Sequence, residues 1–400
     1  MTLTHMMGLL GGLALFLYGM QMMSTGLEAA AGNKMKVICD GLDLSDAVLK
    51  VSKALSVKTT NPILEGIKIT AKGDNLTLFA TDMELTIEKR IKADVLMEGE
   101  TVVVGKYFVE FAKKLEKEQV ELCRLNEGQL EIKYSDSEST LTVFDAEKYP
   151  IFADEEEVNY FEIKQKDFKN IVERTTFSCS VDDSRPILKG CLFEIENNTL
   201  TTVALDGFRM SVCKKEVNAS GNFNTIIPAR TLLEITKLLE KDEQTLRVCL
   251  QKNTLLVKLE NIVLSSRLIE GDFVKYKHIL PTSFSNTVII NKNAFQNSID
   301  RASIITKTDK FNIVKFDIKE DVMAVSAKSE VGNVNENVNI NLTGKDMVIA
   351  FNSKYIMDFL RVCSEEFISL SLNSSIDPCV IKSVGDEGFL YLILPVRINS

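Results

Sequence analysis

The chain has 400 residues, of which 45% are hydrophobic and 26% are charged, so it can bury the cores of two or three domains. Its formal net charge of −9 argues against a protein that grips nucleic acid by bulk positive charge. Its eight cysteines form no Cys-x-x-Cys pair and only two histidines accompany them. This disfavours zinc and c-type haem sites and favours reduced thiols.

The first 34 residues differ in character from the rest. Met6 to Met23 are 18 residues without a charge, at the short limit for a membrane span, and they lack the basic segment that opens a signal peptide. Residues 8–34 resemble the opening helix of the sodium/phosphate cotransporter family. From Met35 the sequence alternates as β-strands do. We therefore expect residues 1–34 to be a foreign leader and a candidate transmembrane segment, joined to a protein that starts at Met35. A genuine membrane-tethered form is the alternative.

After this leader, the spacing of apolar residues predicts two helices and several strands. Ser45 and Asp46 are predicted to cap a first helix that carries Val48, Val51 and Leu55 on one face. A second helix is predicted from an apolar stripe at three- and four-residue spacing, Phe108, Phe111, Ala112 and Leu115. Strands are predicted over Ile67–Thr70, Leu76–Thr81, Glu84–Ile91, Gln119–Cys123, Gln129–Lys133 and Thr140–Phe144.

The same order of elements recurs twice along the chain. First helices are predicted over Phe168–Thr176 and Phe295–Ile304. Second helices are predicted from two further apolar stripes. These stripes are Leu232, Ile235 and Leu239, and then Ile356, Phe359, Leu360 and Cys363.

A period of 124 residues links these groups of elements. The segment Pro-Ile-Leu-Glu-Gly starts at Pro62, and Pro-Ile-Leu-Lys-Gly starts at Pro186, 186 − 62 = 124 positions later. Lys106, Arg230 and Lys354 are separated by the same interval twice, 230 − 106 = 124 and 354 − 230 = 124. A period of this length indicates duplicated domains rather than a short solenoid repeat.

The period predicts an α+β fold of three tandem, pseudo-repeated domains, each with two helices packed on antiparallel sheets. We expect these domains to cover residues 35–153, 158–281 and 284–400, after the leader of residues 1–34.

Each predicted second helix carries two cations seven residues apart, on one face. The pairs are Lys106 and Lys113, Arg230 and Lys237, and Lys354 and Arg361. An acid four residues after the first cation (Glu110, Glu234 or Asp358) could neutralise it, which is the ordinary interpretation of a solvated helix face. Alternatively, pseudo-symmetric domains that close into a ring would turn all these cations towards the same opening, where they would hold a phosphate backbone loosely.

Three motifs carry a resemblance that covers the chain from Met35 to its end. They are Asp206-Gly207-Phe208-Arg209, the block from Phe273 to Pro281, and Leu394-Pro395-Val396-Arg397-Ile398. Together with the threefold repeat, they resemble the bacterial DNA polymerase III β subunit family of sliding clamps. The resemblance implies a head-to-tail homodimer, a six-domain ring that encircles duplex DNA without sequence preference.

The resemblance also implies partners and a location. A clamp tethers the DNA polymerase III alpha subunit, the clamp loader and other proteins with a clamp-binding motif. It is a cytoplasmic processivity factor in DNA replication, part of the polymerase holoenzyme, and has no catalysis and no cofactor of its own. The alternative that the sequence leaves open is a membrane-anchored clamp variant held by the first segment.

The family's site residues carry over to matching positions in this chain. The partner-peptide pocket between the second and third domains would be formed by Leu188, Leu205, Gly207, Phe208, Arg209, Met210, His278, Ile279, Leu394, Pro395, Val396 and Arg397. DNA contacts would be made by Lys58, Arg185 and Arg230, together with the repeated helix cations Lys106 and Lys354.

An enzymatic function finds little support in the sequence. It contains no phosphate-binding P-loop, no Gly-x-Gly-x-x-Gly after a strand and no His-Glu-x-x-His. Asp82 and Asp206 are equivalent in the repeat, but Ser329 or Glu330 stands at that place in the third copy. Asp206 is therefore expected to organise the turn before Gly207 rather than to act in catalysis.

Overall fold

The computed structural model of the chain describes residues 35–56, 59–126, 128–151, 159–306 and 312–397. The predicted leader, with its candidate membrane span, and the candidate DNA contact Lys58 lie outside these ranges. Within them, no helix is long and apolar enough to cross a membrane.

The described residues form two compact units. The first contains the residues up to 151 together with Leu256–Ser266, and the second contains residues 159–255 together with the chain from Arg267 onward.

Within the described ranges, six α-helices fall where the apolar stripes predicted them. They are α1 (Gly41–Val51), α2 (Gly105–Ala112), α3 (Gln165–Thr175), α4 (Ala229–Leu238), α5 (Lys292–Thr306) and α6 (Ser353–Val362).

The described residues also form twenty-six β-strands. In the first half they are β1 (Lys36–Asp40), β2 (Gly66–Lys72), β3 (Asn75–Thr81), β4 (Leu85–Lys92), β5 (Asp94–Met97), β6 (Gly99–Val104), β7 (Gln119–Asn126), β8 (Gln129–Tyr134), β9 (Ser137–Phe144), β10 (Asn159–Lys164), β11 (Gly190–Glu196), β12 (Thr199–Leu205) and β13 (Arg209–Glu216). The others are β14 (Asn218–Ala219), β15 (Phe223–Pro228), β16 (Thr245–Leu250), β17 (Thr254–Lys258), β18 (Ile262–Arg267), β19 (Asn286–Asn291), β20 (Ile313–Lys319), β21 (Val322–Ser329), β22 (Gly332–Thr343), β23 (Met347–Asn352), β24 (Phe367–Leu372), β25 (Cys379–Ser383) and β26 (Phe389–Ile393).

The first unit is an antiparallel sheet with α1 and α2 packed against one another. Its strands follow the order β18-β4-β3-β2-β6-β9-β8-β7-β1-β5. The alternating burial of β4, in which Leu85, Ile87 and Ile91 are buried, matches a sheet with one face on a core. The short strands β5 and β6 were not predicted, because neither shows enough alternation to stand out.

The predicted cap of the first helix was wrong. The helix begins at Gly41 and its cap is Asp40, whose Oδ1 accepts hydrogen bonds from the backbone N–H groups of Leu42 (2.9 Å) and Asp43 (3.2 Å). Ser45 lies inside the helix, buried, with its hydroxyl donating to Glu116. Asp40 and the predicted pair Ser45 and Asp46 all have side chains that can cap a helix. Glycine is required at the first position of the helix, because a Cβ at Gly41 would lie 1.9 Å from the carbonyl oxygen of Leu115.

Four apolar residues predicted as the last members of helix stripes lie beyond their helices. Leu55, Leu115, Leu239 and Cys363 follow the ends of α1, α2, α4 and α6. The last three are nevertheless buried, whereas Leu55 is half-buried. The stripes overestimated helix length because a buried residue can continue a stripe after the backbone has turned away.

The second unit is built on one long antiparallel sheet, in the order β15-β11-β12-β13-β26-β25-β24-β19-β22-β21-β20-β23. Its two sequence repeats join where β13 pairs with β26, in a register that sets Arg209 opposite Ile393 and Met210 opposite Leu392. Strands β14, β10 and β16 form a further ladder of this unit. Helix α3 contacts α4 and α6, and α5 contacts α6.

Candidate partner pocket and nucleic-acid interface

A tight turn between β12 and β13 carries the first of the predicted motifs. The Asp206 carboxylate accepts hydrogen bonds from the backbone N–H groups of Phe208 (2.9 Å) and Arg209 (3.1 Å), and Gly207 has a φ of +95°. That φ favours glycine, which has no Cβ to clash. The equivalent Asp82 accepts from Glu84 and Leu85 in the same way. The predicted turn-forming role of Asp206 is therefore confirmed.

Beneath this turn lies an apolar cluster that covers one face of β11–β13 and β26. Leu188, Leu205 and Met210, three of the predicted pocket residues, are buried in it. The other buried members are Leu192, Val203, Val212, Ile226, Tyr276, Val380 and Leu392. Phe273 and Leu280, from the second motif, are partly buried against the same cluster. The second motif thus packs against Leu205 and Met210, which flank the first motif, and against Leu392, which lies two residues before the third.

Three large apolar side chains at the edge of this cluster are open to solvent. Phe208, Ile279 and Leu394 are 60%, 39% and 37% exposed. The Phe208 ring stacks on Tyr355 with centroids 6.4 Å apart, and the backbone N–H of Leu394 donates to the carbonyl oxygen of Phe208 (2.9 Å). Exposed apolar groups beside a buried cluster are typical of a surface that binds an apolar segment of a partner.

The residues that follow β26 are held by backbone hydrogen bonds. Pro395 and Val396 are half-buried, and the N–H of Val396 donates to the carbonyl oxygen of Ala350 in β23 (2.8 Å). Arg397 is exposed. The tail predicted as one wall of the pocket is therefore fixed by backbone hydrogen bonds at Leu394 and Val396.

Arg209, one of the predicted pocket residues, is buried beneath the turn. Its side chain is only 9% exposed. Its guanidinium donates to Asp206 (3.0 Å), to Asp358 of α6 (2.6 Å) and to the carbonyl oxygen of Phe177 after α3 (2.6 Å), and it lies over the Tyr355 ring. Although burial works against its charge, the field of Tyr391 and these carboxylates raise the pKa of Arg209. Arg209 therefore joins three segments beneath the pocket.

His278 belongs to the second motif but not to the apolar cluster. It is exposed, at the end of a short turn that starts at Tyr276, and lines a pocket of about 610 Å³ together with Glu194 and Lys277. The Tyr276 hydroxyl donates to Glu194 (2.7 Å). Burial, and then this bond to a carboxylate, raise the pKa of Tyr276.

Arg185 was predicted as a DNA contact, yet it lies beside the pocket turn. A Cβ at Gly207 would come within 3.4 Å of the Arg185 guanidinium. No sequence pattern signals this neighbour, because Arg185 and Gly207 are brought together only by the way the 180–190 segment folds over β12 and β13.

The repeated helix cations occupy equivalent places in three helices. Lys106, Arg230 and Lys354 are each the second residue of α2, α4 or α6, and all three are exposed. A cation in a first helical turn opposes the positive end of the helix dipole. With respect to the helix dipole alone, these positions are therefore unfavourable for a cation.

The acids on these helices pair with the second cation of each helix, three residues later. The pairs are Glu110 with Lys113 (2.7 Å), Glu234 with Lys237 (2.8 Å) and Asp358 with Arg361 (3.2 Å). The second cations lie towards the negative end of the helix, where the dipole also favours them.

Comparison with known proteins identifies the family. Three family models match in order: the DNA polymerase III beta subunit N-terminal domain over residues 35–153, the central domain over 162–275 and the C-terminal domain over 277–397. The chain belongs to the DNA polymerase III beta subunit family.

Individual relatives agree with this family over nearly all of their length. The beta sliding clamp of Staphylococcus aureus is 33% identical over 356 residues, covering 86% of this chain and 94% of the relative. The DNA polymerase sliding clamp from Bacillus subtilis superposes with a TM-score of 0.88 at 30% identity, and the beta subunit from Thermotoga maritima with 0.85 at 28%. Each covers 91% of this chain and 100% of its own.

The beta subunit models begin at residue 35 and do not extend into the predicted leader. They do not bear out the resemblance of that segment to the cotransporter family, and they lend no support to a membrane-anchored variant.

Within the part of the chain that the structure describes, no three or more His, Cys, Asp or Glu side chains are grouped so that they could hold a metal ion. Asp82 and Asp206, equivalent in the repeat, are both engaged in turns.

Proposed function

We propose that this chain is a sliding clamp subunit whose ring encircles duplex DNA and tethers the replicative polymerase. The carrying observation is the match of three clamp-domain models, in order, across residues 35–397. Two copies would associate head to tail, so that six domains close the ring. The domains would run over residues 35–153, 158–281 and 284–400, and the protein would work in the cytoplasm, where bacterial DNA is replicated.

In this ring the DNA would be held by its backbone charge and not by its bases. Lys106, Arg230 and Lys354 would face the opening, with Lys58 and Arg185 as further contacts. A few exposed cations on a chain of net charge −9 give weak, salt-sensitive attraction to phosphates, which permits sliding. Retention then depends on the closed ring, and no bond to the DNA has to be broken when it moves.

The decisive experiment is retention on circular DNA. The protein is loaded on a nicked plasmid by the clamp loader of its source organism and separated from free protein by gel filtration. We expect co-elution with the circle and loss after a single cut by a restriction enzyme. Blocking both new ends with bound streptavidin should restore retention. Equal retention on open linear DNA would contradict a topological mechanism.

The apolar cluster and the exposed Phe208, Ile279 and Leu394 would receive a short apolar segment of a partner in extended form. The partners would be the DNA polymerase III alpha subunit, the clamp loader and other proteins with a clamp-binding motif. The chain itself would act as a processivity factor without catalysis. Support comes from the packing of Phe273 and Leu280 of the second motif against Leu188, Leu205 and Met210. The backbone hydrogen bond from Leu394 to Phe208 supports it as well, because it links the third motif to the first.

Point substitutions test the pocket better than removal of the tail, because Leu394 and Val396 also make backbone hydrogen bonds. We expect Ile279→Ala and Leu394→Ala each to weaken binding of the polymerase alpha subunit by on the order of 1–2 kcal/mol. Val331→Ala, an exposed apolar residue outside the cluster, is the matched control. If all three variants bind the polymerase equally, the pocket assignment is wrong.

A further inference from the structure

Two cysteines of the second unit lie in direct contact. Cys179 follows the short turn Thr176–Ser178 at the end of α3, and Cys191 is the second residue of β11. Their Sγ atoms are 3.5 Å apart. Cys191 is completely buried, whereas Cys179 is half-buried and therefore the one of the two that a dissolved reagent can reach.

The segment between these cysteines is an exposed loop with a fixed base. The N–H of Ser180 donates to the carbonyl oxygen of Leu188 (2.8 Å), which brings the two ends of the loop together. The loop carries Arg185, beside Gly207, and ends in Leu188, which is buried in the apolar cluster. Any covalent link between Cys179 and Cys191 would therefore close a ring of residues around one wall of the proposed pocket.

We propose that Cys179 and Cys191 are an oxidative modification site, at which a low-molecular-weight disulfide such as oxidised glutathione forms an intramolecular disulfide that closes the 180–190 loop. In a reducing compartment such a bond is transient and reports the redox state of the cell.

The reaction balances in two exchange steps. The Cys179 thiolate attacks one sulfur of the glutathione disulfide, whose S–S bond breaks and releases one glutathione thiolate. Cys191 then loses its proton and attacks Cys179 Sγ, which expels the second glutathione. Two protein thiols are oxidised, one small disulfide is reduced to two thiols, and the two protons leave with those thiols.

The order of attack follows from the surroundings of the two sulfurs. The hydrogen bond with Cys179 and then burial raise the pKa of the Cys191 thiol well above its ordinary value. Cys191 is therefore a poor first nucleophile. Once Cys179 is in a mixed disulfide, that hydrogen bond is gone and Cys191 can act as the resolving thiol.

Oxidation should change the pocket, an effect that rests on the proposed function. A disulfide bond of about 2.05 Å requires the sulfurs to approach by more than 1 Å from their present contact. The turn that carries Cys179 would move towards β11, and Leu188 would move with it through the Ser180 hydrogen bond. We expect the oxidised protein to bind the polymerase alpha subunit several-fold more weakly.

The first measurement is chemical and independent of function. The full chain is incubated with oxidised glutathione, and its peptides are mapped by mass spectrometry without reduction. We expect a peptide pair joined through Cys179 and Cys191, which dithiothreitol separates. Cys191→Ser should stop at the mixed disulfide on Cys179, and Cys179→Ser should give neither product. Cys123→Ser, a half-buried cysteine of the first unit, is the control and should still form the link. Absence of the linked pair from the wild type overturns the proposal.

The second measurement is binding of the polymerase alpha subunit after the oxidant has been removed by gel filtration. If oxidation weakens binding, dithiothreitol restores it, and oxidant has no effect on binding by Cys179→Ser, the effect on the pocket is supported. Unchanged binding by a protein that carries the mapped disulfide overturns that effect. If the reduced protein also fails to bind, the proposed function is at fault, and the peptide map still decides whether the modification site exists.

Discussion

Arg209 holds three segments of the second unit together through one guanidinium group. It contacts the turn at Asp206, helix α6 at Asp358 and the end of α3 at Phe177, and its side chain is almost entirely buried. A buried cation is stable only while its partners satisfy it, and those partners are equally dependent on it.

Arg209→Met should therefore destabilise the protein by roughly 3 kcal/mol, because two carboxylates lose their buried partner. Urea unfolding followed by circular dichroism measures the change. Arg361→Met is the matched control: it removes an arginine from the same Asp358, but one that is 64% exposed, so we expect a far smaller loss. Equal losses for the two variants would mean that burial does not set the strength of these pairs.

The role of Arg209 could not be predicted from the sequence. The motif Asp206-Gly207-Phe208-Arg209 indicated a turn, and the turn is there because an aspartate and a glycine favour it locally. Asp358, in contrast, is 149 positions away and occupies a place where Glu110 and Glu234 serve an ordinary helix pair. Only the packing of α6 against the turn gives Asp358 its second partner.

Helix α1 is attached to strand β4 by an ion pair. The Asp46 carboxylate forms ion pairs with two lysines. Its oxygens lie 2.6 Å from Nζ of Lys89 in β4 and 3.1 Å from Nζ of Lys50 in its own helix. Partial burial opposes the charge of Asp46, but the hydrogen bonds from Lys89 and Lys50 outweigh it and lower the pKa of Asp46 from 3.8. A carboxyl whose pKa is lower in the folded state stabilises the fold above the unfolded pKa and loses that contribution as the pH falls.

Asp46→Asn should lower stability at pH 7 by roughly 1 kcal/mol, a small value because the carboxylate is 44% exposed and screened by water. The difference in the free energy of unfolding between Asp46→Asn and the wild type should stay constant down to about pH 4. Below that pH the difference should disappear, because the wild-type carboxylate takes up a proton. Urea midpoints across this range measure it.

Asp74→Asn is the control, since Asp74 also pairs with a lysine of β4, Lys92, but at a strongly exposed position. We expect the urea midpoint of Asp74→Asn to stay close to that of the wild type at every pH. A gap for Asp46→Asn that persists undiminished at the lowest pH would show that the loss is one of packing and not of charge.

The three helices α2, α4 and α6 allow a matched test of their cations. Replacing Lys106, Arg230 and Lys354 together by Gln should weaken retention on circular DNA and reduce its dependence on salt, by roughly one unit of slope for each phosphate that is no longer neutralised. The control replaces Lys113, Lys237 and Arg361, which already pair with acids of their own helices. We expect a smaller effect from this second set. The opposite ranking would place the second cations at the DNA.

The helices could be predicted from the sequence to within a turn, whereas the order of the strands could not. Apolar stripes repeat at the helical period whether or not the partner surface is known, and α1 to α6 all lie where such stripes occur. The alternation within β4 indicates a strand but not its neighbour. The pairing of β13 with β26 joins Arg209 with Ile393, 393 − 209 = 184 positions apart, and nothing local specifies it.

At the scale of the whole molecule, the described fold begins with Met35. The Met35 side chain is completely buried, and its carbonyl oxygen accepts from the N–H of Arg124 (2.9 Å). Its backbone is also packed against Gly99. Met35 is thus an integral residue of the first unit.

A chain that starts at Met35 should unfold with the same urea midpoint and slope as the 400-residue chain, because the period and the pocket motifs all lie after that residue. Analytical ultracentrifugation of both chains should give the same dimer. Loss of cooperative unfolding in the shorter chain would assign the first 34 residues a structural role, and loss of the dimer alone would assign them one in assembly.

The apolar cluster has a consequence for any compound that fills the proposed pocket. Leu188, Leu205 and Met210 are buried members of the core of the second unit. Truncating such a side chain typically costs about 2–5 kcal/mol of stability, a large part of what a domain has. A bacterium that changed these residues to escape an inhibitor would lose the replication protein along with the drug site. Resistance would be confined to the exposed Phe208, Ile279 and Leu394, and an inhibitor anchored on the buried side chains would leave few viable escape mutations.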